Sequence, residues 1–401
     1  MFEDEILLHL KKVLQSGMFV LGEYTEQFEK TFAASHGRKH GIAVNSDTSA
    51  LEAALCWLNF KTGTTIGVHQ LIGAVLMPDS AFFGCANVVA RLSGRVLTIP
   101  ITISNGTLPT LEQLQTAVDW CKRSRTPIAA YMSVYNAGTV GRDTLECLIF
   151  CQDQGIPVIE DAAHCHGAKY STGEMVGHYG DLATYSFYAT KMVHSGEGGM
   201  ILTDDDDAAH WLRTYRNYGK TWGPGADPVF ADSDMVGYNW RMTEFQAAIG
   251  LTLWKNYAKI YDERHRVEQI YDEYFLPSGS RFGEAQVDRL IVKCNELRPN
   301  LYRYIVMVDG LLSREQNHEL YALLRERLVI LQAKCNSLPV SLHKALHRFI
   351  LPYQPAIAAP FEALSYCMSH LCLPIYPTLS SEDAAYIAET VVDVLNKGKW
   401  R

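Results

Sequence analysis

The chain has 401 residues, too many for one simple core and suited to two domains of unequal size. Hydrophobic residues make up 48% and charged residues 20%, and the net charge of −8 argues against a general nucleic-acid or polybasic membrane partner. No segment has the apolar length of a membrane span, and the acidic start Met1-Phe2-Glu3-Asp4-Glu5 is unlike a signal peptide, so a cytoplasmic protein is expected.

In chain order, Leu51 to Leu58 reads as a helix that begins just after Ser46-Asp47-Thr48. Ala74 to Met77 and Arg95 to Ile99 are short apolar runs bounded by Gly or Pro, hence strands, and Ile128 to Val134 is another. Leu145 to Gln154 is a helix closed by Gly155 and followed by the strand Pro157-Val158-Ile159. Thr184 to Phe187 and Met200 to Leu202 add two strands, and the acids Asp204 to Asp207 read as a solvated turn that caps the next helix. Buried strands alternating with helices predict an α/β fold with a mostly parallel sheet. Thr243 to Tyr274 reads as one long helical stretch, followed by a strand at Tyr302 to Val308 and helices at Glu315 to Arg327 and Ser381 to Leu395. This predicts a large domain over residues 1–255 and a smaller C-terminal α/β domain over 256–401.

The ten cysteines are scattered, mostly in apolar runs such as Ala54-Leu55-Cys56-Trp57, which favours reduced core thiols. Cys147 and Cys151, and His164-Cys165-His166, offer metal-ligand types, but neither forms a paired CxxC framework and no metal is expected.

Three weak signals combine. Lys191 follows the apolar strand ending in Ser186-Phe187-Tyr188 and precedes the glycine-rich Gly196-Glu197-Gly198-Gly199. Alone it reads as a surface lysine, but partial burial beside small residues favours a neutral amine, the form that attacks an aldehyde. Asp161 ends the strand Val158-Ile159-Glu160, thirty residues earlier, where a carboxylate can hold the protonated ring nitrogen of pyridoxal 5′-phosphate. Ser46, Asp47 and Thr48 lie at a helix start, where free N–H groups attract a phosphate, with the Ser186 hydroxyl as a further donor. The Asp47 carboxylate would repel that phosphate, so it is expected to turn away and leave only its N–H.

The order of six segments resembles the DegT/DnrJ/EryC1/StrS family of sugar aminotransferases. They are GMFVLGEYTEQF (17–28), NSDTSAL (45–51), IEDAAHCHGA (159–168), SFYATKMVHSGEGG (186–199), GYNWRMTEFQ (237–246) and LPIYP (373–377). The resemblance implies the pyridoxal-phosphate fold type I, with Lys191 as the Schiff-base lysine and proton shuttle and Asp161 on the pyridine nitrogen. It implies that Phe82 stacks on the cofactor, that His164 lies near its phenolic oxygen, and that Ser46, Asp47, Thr48 and Ser186 serve its phosphate. The loop with Asn239 would cross a homodimer interface to the partner's phosphate, with Arg241 and Tyr188 facing substrate. The implied reaction moves an amino group, with L-glutamate as donor, to a keto sugar that is nucleotide-linked.

Two departures bear on the substrate. Many relatives have a histidine in the strand Ala130 to Tyr135, where this chain has Ser133, and the connection from Asn59 to Ala74 is longer than usual. A cyclitol ketone or a sugar phosphate therefore stays open as acceptor. The family's deoxysugar dehydratases carry histidine in place of the lysine, so Lys191 favours transamination, and both Lys191 and Asp161 speak against a catalytically silent homologue.

Overall fold

The computed structural model describes residues 1–63, 70–220, 233, 235–275, 287–289, 300–308, 311–335, 337–353 and 361–398. Residues 64–69, within the long connection from Asn59 to Ala74, lie outside them.

Seven strands form the main sheet: β1 (His40–Val44), β2 (Ala74–Pro78), β3 (Arg95–Ile99), β4 (Ile128–Val134), β5 (Val158–Asp161), β6 (Leu182–Ser186) and β7 (Gly199–Thr203). Their order is β1-β7-β6-β5-β4-β2-β3, and every pairing is parallel except the two made by β7. The central strands are buried along their whole length, which is why they read as unbroken apolar runs rather than alternating ones.

Helices cover both faces. The first five are α1 (Glu3–Ser16), α2 (Glu23–Ser35), α3 (Asp47–Lys61), α4 (Phe83–Arg91) and α5 (Leu111–Ser124). They are followed by α6 (Thr144–Asp153), α7 (Asp206–Tyr215) and α8 (Glu244–Lys255). On one face Phe28 and Phe32 of α2, Leu114 of α5, Leu148 of α6 and Leu251 of α8 pack with Tyr131 and Leu97 from the sheet. On the other, α3, α4 and α7 enclose Val75, Met132 and Ile201. The acids before α7 do cap it, because the Asp205 side chain accepts from the N–H groups of Asp207 and Ala208.

The stretch from Thr243 to Tyr274 is two helices rather than one, α8 and α9 (Tyr257–Phe275). Asn256 leaves helical geometry at φ −100°, ψ 14°, and its side-chain amide donates to the Thr252 carbonyl and to Glu5. Beyond it a second, antiparallel sheet runs in the order β10-β9-β8, from β8 (Val287–Arg289), β9 (Tyr304–Val308) and β10 (His370–Leu373). Its core takes residues from α9, α10 (Arg314–Glu326) and a C-terminal helix (Ser381–Lys397), including Tyr271, Leu320 and Val391. We propose the domain division at 255/256, on the ground that α8 packs in the first core while Val267, Tyr271 and Phe275 of α9 pack in the second.

Glu244, 2% exposed, ties the N-terminal helices to this scaffold. Its carboxylate accepts from the backbone N–H groups of Gly22 (3.0 Å), Tyr24 (2.8 Å) and Thr25 (2.9 Å), the free donors at the start of α2. Glu244→Ala should therefore destabilise the protein by about 3 kcal/mol, with Glu244→Gln recovering part of the loss. Urea unfolding of the three proteins tests this, and equal midpoints would remove Glu244 as a fold determinant.

Candidate active site

The C-terminal ends of β5 and β6 and the start of β7 lie side by side, so residues distant in sequence meet there. Asp161 is level with Thr184 of β6, and Gly199 of β7 pairs with both Ser186 of β6 and Val44 of β1. The chain leaving Val44 turns at once into α3, where Ser46 caps the helix by accepting from the Ser49 N–H at 3.1 Å. In the first helical turn the N–H groups of Asp47 and Thr48 have no intrahelical acceptor, which suits this helix end, near Ser186, to an anion. Gly199 is required for this approach, because a Cβ there would lie 2.4 Å from the Ser46 carbonyl oxygen.

Lys191 sits in the turn between β6 and β7 and is 8% exposed, so it is not the surface lysine that its residue type alone suggests. The turn is closed by Phe187 N–H to the Gly198 carbonyl (2.8 Å), Ser195 N–H to the Phe187 carbonyl (2.8 Å) and Lys191 N–H to the Tyr188 carbonyl (2.9 Å). Asp161, 4% exposed, accepts from the Cys85 thiol (2.9 Å) and the Ala163 N–H (3.1 Å). Burial raises its carboxyl pKa, and the thiol, the Ala163 N–H and the Lys191 charge only partly offset this. A cationic ring nitrogen is the kind of partner such a carboxyl lacks.

His164 is half-buried with its ring stacked on Tyr302, centroids 4.4 Å apart. Burial, and then the Lys191 charge, hold it well below the usual histidine range, so it is neutral. Its Nδ1 accepts from the Ala137 N–H at 3.1 Å, which leaves the proton on Nε2 and makes that atom a donor. Phe82 is 44% exposed at the entrance to α4, with its ring against Phe83 and free to cover a planar ligand. Tyr188, also exposed, lies on the rim.

Asp47 departs from its expected placement. Its carboxyl is turned inward, with Oδ1 buried and without a hydrogen-bond partner, and it lies within the fields of Asp161 and Lys191. Asn239 is exposed, and the strand-like stretch around it pairs with Asn217 and, through Arg241, with Val44. Arg241 donates to the Asn217 side chain at 2.8 Å and stacks over Tyr218. Ser133 is buried in β4 with its hydroxyl unpartnered.

Residues 1–392 match the profile of the DegT/DnrJ/EryC1/StrS aminotransferase family. The chain belongs to this family. A spore coat polysaccharide biosynthesis protein, SpsC, of Bacillus subtilis is 28% identical over 98% of this chain and 94% of its own. A GDP-perosamine synthase of Caulobacter vibrioides is 33% identical over 67% of this chain and 66% of its own. Among solved structures, a DegT/DnrJ/EryC1/StrS aminotransferase from Brucella abortus superposes with a TM-score of 0.80 at 22% identity, covering 99% of this chain and 96% of that one, and so has the same fold.

Cys85, beside Asp161, and Tyr302, beside His164, are not marked as site residues in the sequence. Cys85 stands three residues after Phe82, so one helical turn delivers both, but a thiol in an apolar helix carries no motif. Tyr302 precedes a strand far down the chain and is brought in only by folding. Among the described residues, Cys335, His370 and Cys372 form a buried group with metal-ligand types. Both His370 nitrogens are already engaged, Nδ1 donating to the Tyr366 carbonyl (2.6 Å) and Nε2 accepting from the Cys335 N–H (3.1 Å), so the group lacks a free imidazole ligand.

The buried Asp47 carboxyl has a measurable consequence. Burial, and then the Asp161 charge, raise its pKa in the folded protein, so above the unfolded-state value near 4 the folded form binds more protons and loses stability as pH rises. Asp47→Asn removes that loss. Cofactor-free Asp47→Asn should gain more than about 1 kcal/mol over the parent at pH 8 and distinctly less at pH 5. Thermal unfolding at the two pH values measures it; a gain independent of pH would contradict the buried placement.

Proposed function

We propose that this chain is a pyridoxal-phosphate-dependent aminotransferase that moves an amino group from L-glutamate to a nucleotide-linked keto sugar, as a cytoplasmic homodimer. The observation that carries the reading is that Lys191 and Asp161, both nearly buried, lie close enough for the Lys191 charge to act on Asp161 and on a neutral His164. Family membership supports the transfer, and the likeness to a GDP-perosamine synthase supports a nucleotide-linked acceptor. No helix among the described residues is long and apolar enough to cross a membrane.

The residues suit the cofactor. Asp161 would hold its ring nitrogen, the N–H groups of Asp47 and Thr48 with the hydroxyls of Ser46, Thr48 and Ser186 its phosphate, Phe82 its ring face, and His164 Nε2–H its phenolic oxygen. Asn239 would extend to the partner subunit's phosphate site, with Arg241 and Tyr188 toward substrate. When bound, the cofactor supplies a carbonyl for the donor amine and an electron sink for the carbon that loses a proton. Lys191 Nζ then serves as base at the donor's α-carbon and as the acid that returns the proton. Asp161 keeps positive charge on the ring nitrogen, and the buried floor around Ser186 and Thr184 excludes water.

Purified protein should absorb visible light, and borohydride should fix the cofactor to the peptide containing Lys191. Lys191→Ala should lower turnover of glutamate with nucleotide-linked 3-keto and 4-keto sugars by more than about a thousandfold. Retained turnover would sink the assignment. For the shared site, mixed Lys191→Ala and Asn239→Ala subunits should regain activity that neither variant has alone; failure to complement would place Asn239 outside the partner's site.

A further inference from the structure

Beside Lys191 a cleft of about 480 Å³ opens between the main sheet and the smaller one. Lys191, Arg264 and Arg303 contribute to its wall, and no aspartate or glutamate does among the described residues. Such an excess of cations is unfavourable unless an anion enters.

Arg303 is the cation best placed to receive one. Its guanidinium stacks on the Tyr302 ring (4.3 Å to the centroid), the same ring that lies 5.0 Å from Lys191 Nζ. Two of its donors are used, Nη1 on the Gln332 side-chain oxygen (2.7 Å) and Nη2 on the Tyr302 hydroxyl (3.1 Å). Its buried Nε has no acceptor, and none of the ion pairs among the described residues includes it. A guanidinium has five N–H donors, so a planar two-oxygen anion can still be bound. Gln332 is fixed in turn by its N–H to the Cys372 carbonyl (2.9 Å) at the edge of β10. Arg264 stands behind, held by the Leu301 carbonyl (2.9 Å), and its pKa is pushed down to about 10 by burial and then by the Arg303 charge. The two guanidiniums thus repel each other, and among the described residues no aspartate or glutamate lines the cleft with them.

We propose that Arg303, positioned by Gln332 and Tyr302 and backed by Arg264, is a carboxylate-binding subsite that takes a carboxylate of the acidic amino donor. Proximity favours this over the diphosphate of a nucleotide-linked acceptor. A donor carboxylate is attached to, or a short chain from, the carbon that reacts at Lys191, whereas a diphosphate is separated from the reacting carbon by much of a sugar ring. Arg303 and Lys191 share one aromatic ring, which suits the shorter span.

The inference rests on Lys191 as the reacting lysine, and the test separates the two. Holoenzyme is titrated calorimetrically with glutarate and, separately, with uridine diphosphate, for the parent, Arg303→Gln and Arg303→Lys. The visible band and the borohydride adduct at Lys191 are read on the same samples. Glutarate should bind the parent in competition with glutamate. Arg303→Gln should weaken glutarate by at least about tenfold and raise the donor KM, with the visible band and diphosphate binding kept. Arg303→Lys should recover part of the affinity, and it supplies the reading should Arg303→Gln not fold. Absence of glutarate binding to the parent, glutarate affinity unchanged in both variants, or a loss that falls on uridine diphosphate would overturn the subsite. A parent without band or adduct would instead overturn the assignment of Lys191.

Discussion

Two adjacent carboxylates at the end of β5, both almost fully buried, organise this part of the molecule. Strand geometry sends them to opposite faces. Glu160 accepts from the Tyr135 hydroxyl (2.8 Å), the Tyr170 hydroxyl and the N–H groups of Gly177 (3.0 Å), Tyr179 (3.0 Å) and Gly180 (2.5 Å), and so fixes the path from β5 to β6. Asp161 faces the other way and among the described residues accepts from a thiol and one N–H, which leaves it able to take a cation. A carboxylate saturated with donors is held in place, and an undersaturated one keeps capacity for a further partner.

From that pair the rest of the site follows by register. Thr184 is level with Asp161, Ser186 stands two residues further, and Gly199 joins Ser186 to the β1 end from which α3 starts. Charged and hydrogen-bonding groups therefore gather at the C-terminal edge of a mostly parallel sheet, where open α/β folds place their ligands. The smaller sheet adds Tyr302 and Arg303 from the residues just before β9, so the lysine is approached from both sheets.

Much of this was legible in the sequence because the strands are buried on both faces and the reactive residues stand at strand ends. Asp161 and the Ser46 cap could be placed by residue type and spacing, whereas Lys191 reads by residue type as a surface lysine and stands out only through the order of the segments around it. The break at Asn256 could not, because no Gly or Pro marks it and it is held by hydrogen bonds to Thr252 and to Glu5, a contact across most of the chain. β1 was missed as well, since only Ile42-Ala43-Val44 of it is apolar and Gly41 interrupts the pattern. The inward turn of Asp47 was hidden for another reason: helix starts favour carboxylates pointing outward, and only the packing of the neighbouring strand ends encloses this one.

Gly199 shows how tolerance to change and chemical role can part company. It has no side chain to offer, yet the Ser46 carbonyl leaves no room for a methyl group, so the start of α3 and the lysine turn are welded into one piece. Evolution can then alter the far wall of the cleft, at residues such as Arg303 and Gln332, without moving the lysine turn against the start of α3. The wall that Arg303 and Gln332 supply is in this sense free to vary independently of the strand ends that Gly199 ties together.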